Sequence, residues 1–170
     1  MKKNIIFILF MLFVFGCGTV KDDDNNKNKT TTDNVEQEDD SKYKLTSDYK
    51  NFTLSWGYNN IKDSKLMGYR LYDNGRIDFY QQDKNTNKVV SDSITKIPMK
   101  RVLKILEYTN NTYLYTPALN EPGNECKYVE LVKPSVKFYS KAQWNEHDTY
   151  GSKTFRQLFD TLLTLIPLKY

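Results

Sequence analysis

Apolar and polar positions alternate along the first half of the chain's core-forming region. Phe52, Leu54, Trp56 and Tyr58 take every second place, and so do Met67, Tyr69 and Leu71, then Ile77 and Phe79. A strand sends successive side chains to opposite faces, so a period of two predicts strands with one buried face. Asp73-Asn74-Gly75 separates the second run from the third. Asn and Gly tolerate positive φ, which makes this a tight hairpin turn. Asp83 to Asn87 reads as a further turn ahead of Val89-Val90. The period then changes. Met99, Val102, Leu103 and Leu106, with Ile105 beside them, fall at helical spacing. Pro98 suits a first helical turn, Thr95 is a candidate cap, and Asn110-Asn111 marks the expected end. Residues 116–125 carry two prolines and read as a loop. Val129 and Leu131, a turn at Pro134-Ser135, and Val136 and Phe138 running on to Trp144 predict a second β section. Ser152 would cap a last helix with Phe155, Leu158, Phe159, Leu162, Leu163 and Ile166 on one stripe, stopped by Pro167.

Strands, helix, hairpin, helix is the order of an α+β domain. The pattern predicts a single antiparallel sheet of about four to six strands with two helices on one face. Leu71, Ile77, Phe79, Val129, Leu131, Val136 and Phe138 would face the helices. The opposite face would then carry Arg70, Tyr72, Asp78, Tyr80, Tyr128, Glu130, Lys137, Tyr139 and Lys141. Residues 43–170 suffice for a proper core without disulfides, and Cys126 is expected to be buried there as a small hydrophobe.

The chain ahead of this domain has two parts. Met1-Lys2-Lys3-Asn4 precedes an uninterrupted apolar run from Ile5 to Phe15. As a helix that run would span only roughly 16 Å, against about 30 Å of bilayer hydrocarbon. A basic start, a short apolar stretch and a small residue at its end make a secretory signal, residues 1–16. From residue 17 to 42 the chain is rich in Asn, Asp, Thr and Lys, and it cannot bury enough apolar surface to order itself. It reads as a disordered tether with a reach of roughly 25–30 Å.

Val14-Phe15-Gly16-Cys17 resembles the lipobox of bacterial lipoproteins. The resemblance implies cleavage after Gly16 and a diacylglycerol on the Cys17 sulfur. With two or three acyl chains such an anchor is firm, since each buried CH₂ contributes roughly 0.8 kcal/mol. Lys21-Asp22-Asp23-Asp24 resembles the acidic export signal of Bacteroidota surface lipoproteins. Together these imply an outer-membrane lipoprotein, either surface-exposed or facing the periplasm. The stretch YRLYDNGRIDFY ahead of a leucine-rich helix is similar to small lipoprotein domains; this resemblance bears on fold and implies no activity.

Charge divides along the chain. Residues 17–42 hold four lysines against eight acids, whereas residues 43–170 hold 19 basic and 13 acidic residues. With Lys2 and Lys3 of the signal, these make up the overall +4, which hides a basic domain on an acidic stalk. All thirteen tyrosines fall in the domain. Tyr supplies contact area at small entropic cost, so the face bearing Arg70, Tyr72, Tyr80, Tyr128, Lys137, Tyr139 and Lys141 is the candidate binding surface for a protein, peptide or glycan. Nucleic acid is not an expected partner. No catalytic, cofactor or metal site is expected. His147 is the single histidine, and the chain contains no G-x-S-x-G, HExxH, CxxC, phosphate-loop or dinucleotide motif. The expected function is non-enzymatic binding at the envelope; an inhibitor or immunity lipoprotein against a secreted enzyme is the alternative, and an envelope hydrolase comes last.

Overall fold

The computed structural model describes residues 40–60, 62–145, 147 and 152–167. The signal segment, Cys17 and the tether up to residue 39 lie outside the described residues.

Among the described residues are seven strands and two α-helices: β1 (Thr53–Asn60), β2 (Lys65–Tyr72), β3 (Arg76–Asp83), β4 (Val89–Lys96), α1 (Met99–Tyr115), β5 (Asn120–Glu121), β6 (Glu125–Lys133), β7 (Phe138–Asn145) and α2 (Lys153–Leu163). They form one sheet in the order β4-β3-β2-β1-β6-β7-β5. The fold is α+β, but the expected antiparallel sheet of four to six strands is corrected to a mixed sheet of seven. β5 runs parallel to β7, pairing Asn120 with Gln143 and Glu121 with Trp144. Every other pairing is antiparallel. A two-residue strand leaves no periodic trace in sequence. It exists because buried Leu119 pins the loop and its carbonyl accepts from the Gln143 N–H at 3.1 Å.

Cross-strand register sorts the two faces. Leu54, Trp56, Tyr69, Leu71, Ile77, Phe79, Val129, Leu131, Phe138, Ala142 and Trp144 share one face. All but Phe79 form or pack against the core with Val102, Ile105 and Leu106 of α1 and Phe155, Leu158, Phe159 and Leu162 of α2; Phe79 is half-buried at a groove beside Leu163 and Ile166. Trp144 meets Phe159 edge-on with ring centroids 5.9 Å apart, and Tyr58 meets Phe159 the same way at 5.5 Å. Such pairs contribute roughly 0.5–1.5 kcal/mol beyond area burial.

Local structure departs from the sequence expectation at four places. α2 ends at Leu163, short of Ile166 and Pro167, and the chain continues to Ile166 in tighter i→i−3 turns. Thr95 belongs to β4, and Pro98, with extended φ and ψ, precedes α1 directly. α1 runs through Asn110-Asn111 to Tyr115, because Thr109 and Thr112 continue its buried stripe and the Thr109 hydroxyl donates to the Ile105 carbonyl at 2.7 Å. Val136 does not face the helices. It sits in the 3₁₀ turn Pro134–Val136, exposed, and Lys137 closes that turn with φ 52°. Pro at the first position of the turn breaks the alternation of the flanking strands.

Candidate functional site

The second sheet face carries no described helix, and its centre is a row of four residues on adjacent strands. Tyr80 of β3 stands opposite Gly68 of β2, Gly68 opposite Gly57 of β1, and Gly57 opposite Tyr128 of β6. The two glycines leave a trough. The tyrosine rings fill it from either side until their hydroxyls meet at 2.5 Å. A Cβ built on Gly68 would lie 2.4 Å from the Tyr128 oxygen and 2.4 Å from the Trp56 carbonyl; on Gly57 it would lie 2.2 Å from the Met67 carbonyl. Absence of a side chain is thus what lets the tyrosines lie down, with the rings replacing the packing that strand glycines forgo.

Tyr80 and Tyr128 are consequently 3% and 1% exposed. They lie on the face assigned from sequence but cannot serve as contact surface. Burial holds both phenols above their ordinary range; at Tyr128 the neighbouring Tyr80 adds to the effect, and at Tyr80 the bond from Tyr128 and the charge of Arg70 offset part of it. Removing one hydroxyl strands the other. Tyr80→Phe is expected to lower stability by roughly 1–3 kcal/mol, and the Tyr80→Phe/Tyr128→Phe double variant to lose clearly less than the two singles added. Denaturant unfolding of all four proteins checks this; strict additivity would contradict the hydroxyl pair.

Beside the tyrosine row runs a charged one: Asp78, Arg70, Ser55, Glu130 and Lys141, each opposite the next. Arg70 donates to the Ser55 hydroxyl at 3.1 Å, and Lys141 lies 3.8 Å from Glu130. The same cations roof the tyrosines. Arg70 lies 4.5 Å over the Tyr80 ring and Lys141 5.1 Å over Tyr128. Arg76 lies 4.4 Å over Tyr72, with its Nε 3.1 Å from the buried Asp78 carboxylate. Tyr139 projects furthest, 62% exposed, its hydroxyl 3.3 Å from Glu130. Partial burial and the Glu130 carboxylate both raise its pKa.

Of the residues singled out from sequence, Arg70, Tyr80, Tyr128 and Lys141 form one contact network, Tyr139 joins it through Glu130, and Tyr72 extends it through Arg76. Lys137 stands apart in its turn. Sequence reasoning missed Gly57, Gly68 and Arg76. The glycines were discoverable, since both occupy positions of the non-core parity within strand patterns.

Concavities lie elsewhere, among them two of contrasting character. A groove of about 850 Å³ on the helix-bearing side is lined by Tyr69, Phe79, Ile94, Leu163, Ile166 and Pro167, with Asp92 and Ser93 at its edge. A polar hollow of about 300 Å³ is lined by Asn60, Lys62, Asn124, Glu125, Asn145 and His147. Among the described residues no group of three or more His, Cys, Asp or Glu is placed to hold a metal, and no helix is long and apolar enough to cross a membrane. Cys126 is buried, its thiol donating to the Gly123 carbonyl at 3.0 Å. No protein-family model matches the chain, and no curated protein matches it significantly.

Proposed function

We propose that this chain is an envelope-anchored lipoprotein that binds rather than catalyses, and that the glycine-floored sheet face is its ligand surface. The observation that carries the reading is the arrangement of cations there. Arg70, Arg76 and Lys141 lie over tyrosine rings at 4.4–5.1 Å. A cation already held in place loses little freedom when a ligand arrives, and the guanidinium fork suits carboxylates. Tyr72 and Tyr139 add aromatic contact area at the margin of the same surface. The ligand that fits is an envelope protein or peptide presenting acidic side chains. Cys17, lipidated after cleavage behind Gly16, would hold the domain at the outer membrane, and residues 17–42 would space it from the headgroups.

The test is capture from the native envelope with tagged full-length protein, beside Cys17→Ala and Tyr72→Ala/Tyr139→Ala variants. The tyrosine variant is expected to lose the captured partner by roughly tenfold or more, as interface tyrosines do, while its thermal midpoint stays near that of the parent. Cys17→Ala is expected to leave the membrane fraction. Equal capture by the tyrosine variant would overturn the assignment of the face. Capture of acidic glycan in place of protein would overturn the ligand class.

A further inference from the structure

β4 forms one edge of the sheet, and among the described residues no strand lies beyond it. It is exposed from Val89 to Ser93, with Val89 45% and Val90 58% accessible. The Asp83 N–H donates to the Lys88 carbonyl at 2.9 Å, which fixes the phase of the β3–β4 ladder. Val90 and Asp92 therefore turn their backbone groups toward Gln81 and Phe79 of β3, and Val89, Ser91 and Ser93 turn theirs outward. Edge strands are ordinarily shielded by proline, by bulges or by inward charges. Here the stretch from Val89 to Ser93 has no proline, the register shift lies beyond it, opposite the Ile77/Asp78 step, and its one charge, Asp92, is on the helix-side face but exposed at the groove's edge, where a partner strand can pair it.

We propose that β4 pairs with β4 of a second copy of this chain, antiparallel and centred on Val90, so that two sheets join into one. Charge along the strand selects both partner and register. Centring on Val90 puts Lys88 of each copy directly opposite Asp92 of the other and sets Val90 against its own copy. Val89 of each copy then exchanges backbone hydrogen bonds with Ser91 of the other. Centring on Asp92 would oppose Asp92 to itself and Lys88 to Lys96. Centring on Ser91 would oppose Val90 to a carboxylate. Opposite charges and apolar pairs directly across an antiparallel ladder are favourable, and like charges are not.

The experiment uses the full chain in intact cells. In this register Val90 forms a non-hydrogen-bonded pair, whose Cα atoms stand about 4.5 Å apart, inside the disulfide range. Val90→Cys is therefore expected to give a covalent dimer on a non-reducing gel after mild oxidation. Ser91→Cys and Thr95→Cys should give several-fold less, and the parent protein sets the background from Cys17 and Cys126. Adding Asp92→Lys should cut the Val90→Cys dimer several-fold, and adding Lys88→Asp to that variant should restore it. No dimer at position 90, stronger crosslinking at 91, crosslinks to a different protein, or failure of the charge swap to restore pairing would each overturn the proposal.

Discussion

Gly57→Ala is expected to lower folding stability by about 3 kcal/mol, the upper part of the usual overpacking range. The added methyl would stand 2.2 Å from the Met67 carbonyl oxygen and 2.5 Å from the Gly68 Cα. Both are backbone atoms of the adjacent strand near the centre of the sheet, so no side-chain rotation relieves the contact. Strands β1 and β2 must separate, and the tyrosine pair above them loses its floor. Gly123→Ala offers a matched comparison. The nearest atoms to its Cβ belong to the Asn145 side chain: the amide group at 2.5–2.6 Å, which can swing aside, and the Asn145 Cβ at 2.9 Å, which needs only a small local shift. Denaturant midpoints should fall far more for Gly57→Ala than for Gly123→Ala. Equal losses would contradict the reading of Gly57 and Gly68 as the trough of the open face.

Stability should also collapse at alkaline pH. Tyr113 and Tyr128 are held far above the ordinary phenol range, chiefly by burial. In the unfolded chain both ionise near pH 10. Above that pH the unfolded state carries fewer protons than the folded one, so stability, complete below pH 10, declines as pH rises. Two tyrosines that stay protonated in the fold give a slope of about 2.7 kcal/mol per pH unit. Tyr80, also raised by burial, steepens it until its own ionisation. Tyr128→Phe should remove about 1.4 kcal/mol per pH unit from that slope, despite its cost at neutral pH. Urea unfolding at half-unit steps between pH 9 and pH 12 measures this, and a flat profile would contradict the buried state of these phenols.

The two faces of the sheet were readable in the sequence because register there follows from parity alone. Leu71, Ile77, Phe79, Val129, Leu131 and Phe138 lie on the helix-bearing face as alternation requires, and Arg70, Tyr72, Tyr80, Tyr128, Tyr139 and Lys141 point the other way. Val136 and Lys137 fell out of that parity because the Pro134–Val136 turn inserts a helical step. β5 was invisible, since two residues have no period and its pairing rests on Leu119 and Gln143, distant in sequence. Parity also says which way a side chain points, not whether it stays wet. Tyr80 and Tyr128 became buried only because two glycines, eleven residues apart, fall opposite one another between them. That coincidence is a property of strand order, and Gly57 of β1 meets Tyr128 of β6 across 71 positions of chain. The cations over the rings follow from the same cross-strand geometry.

The most direct measurement of the central claim is photocrosslinking from single positions in living cells. A benzophenone side chain at Tyr139 occupies the most exposed aromatic site of the cation-roofed face, and one at Glu107 samples the solvent side of α1. The account predicts a discrete crosslinked envelope protein from position 139 and none from position 107. Crosslinking from 107 with silence at 139 would contradict it and move the binding surface to the helices.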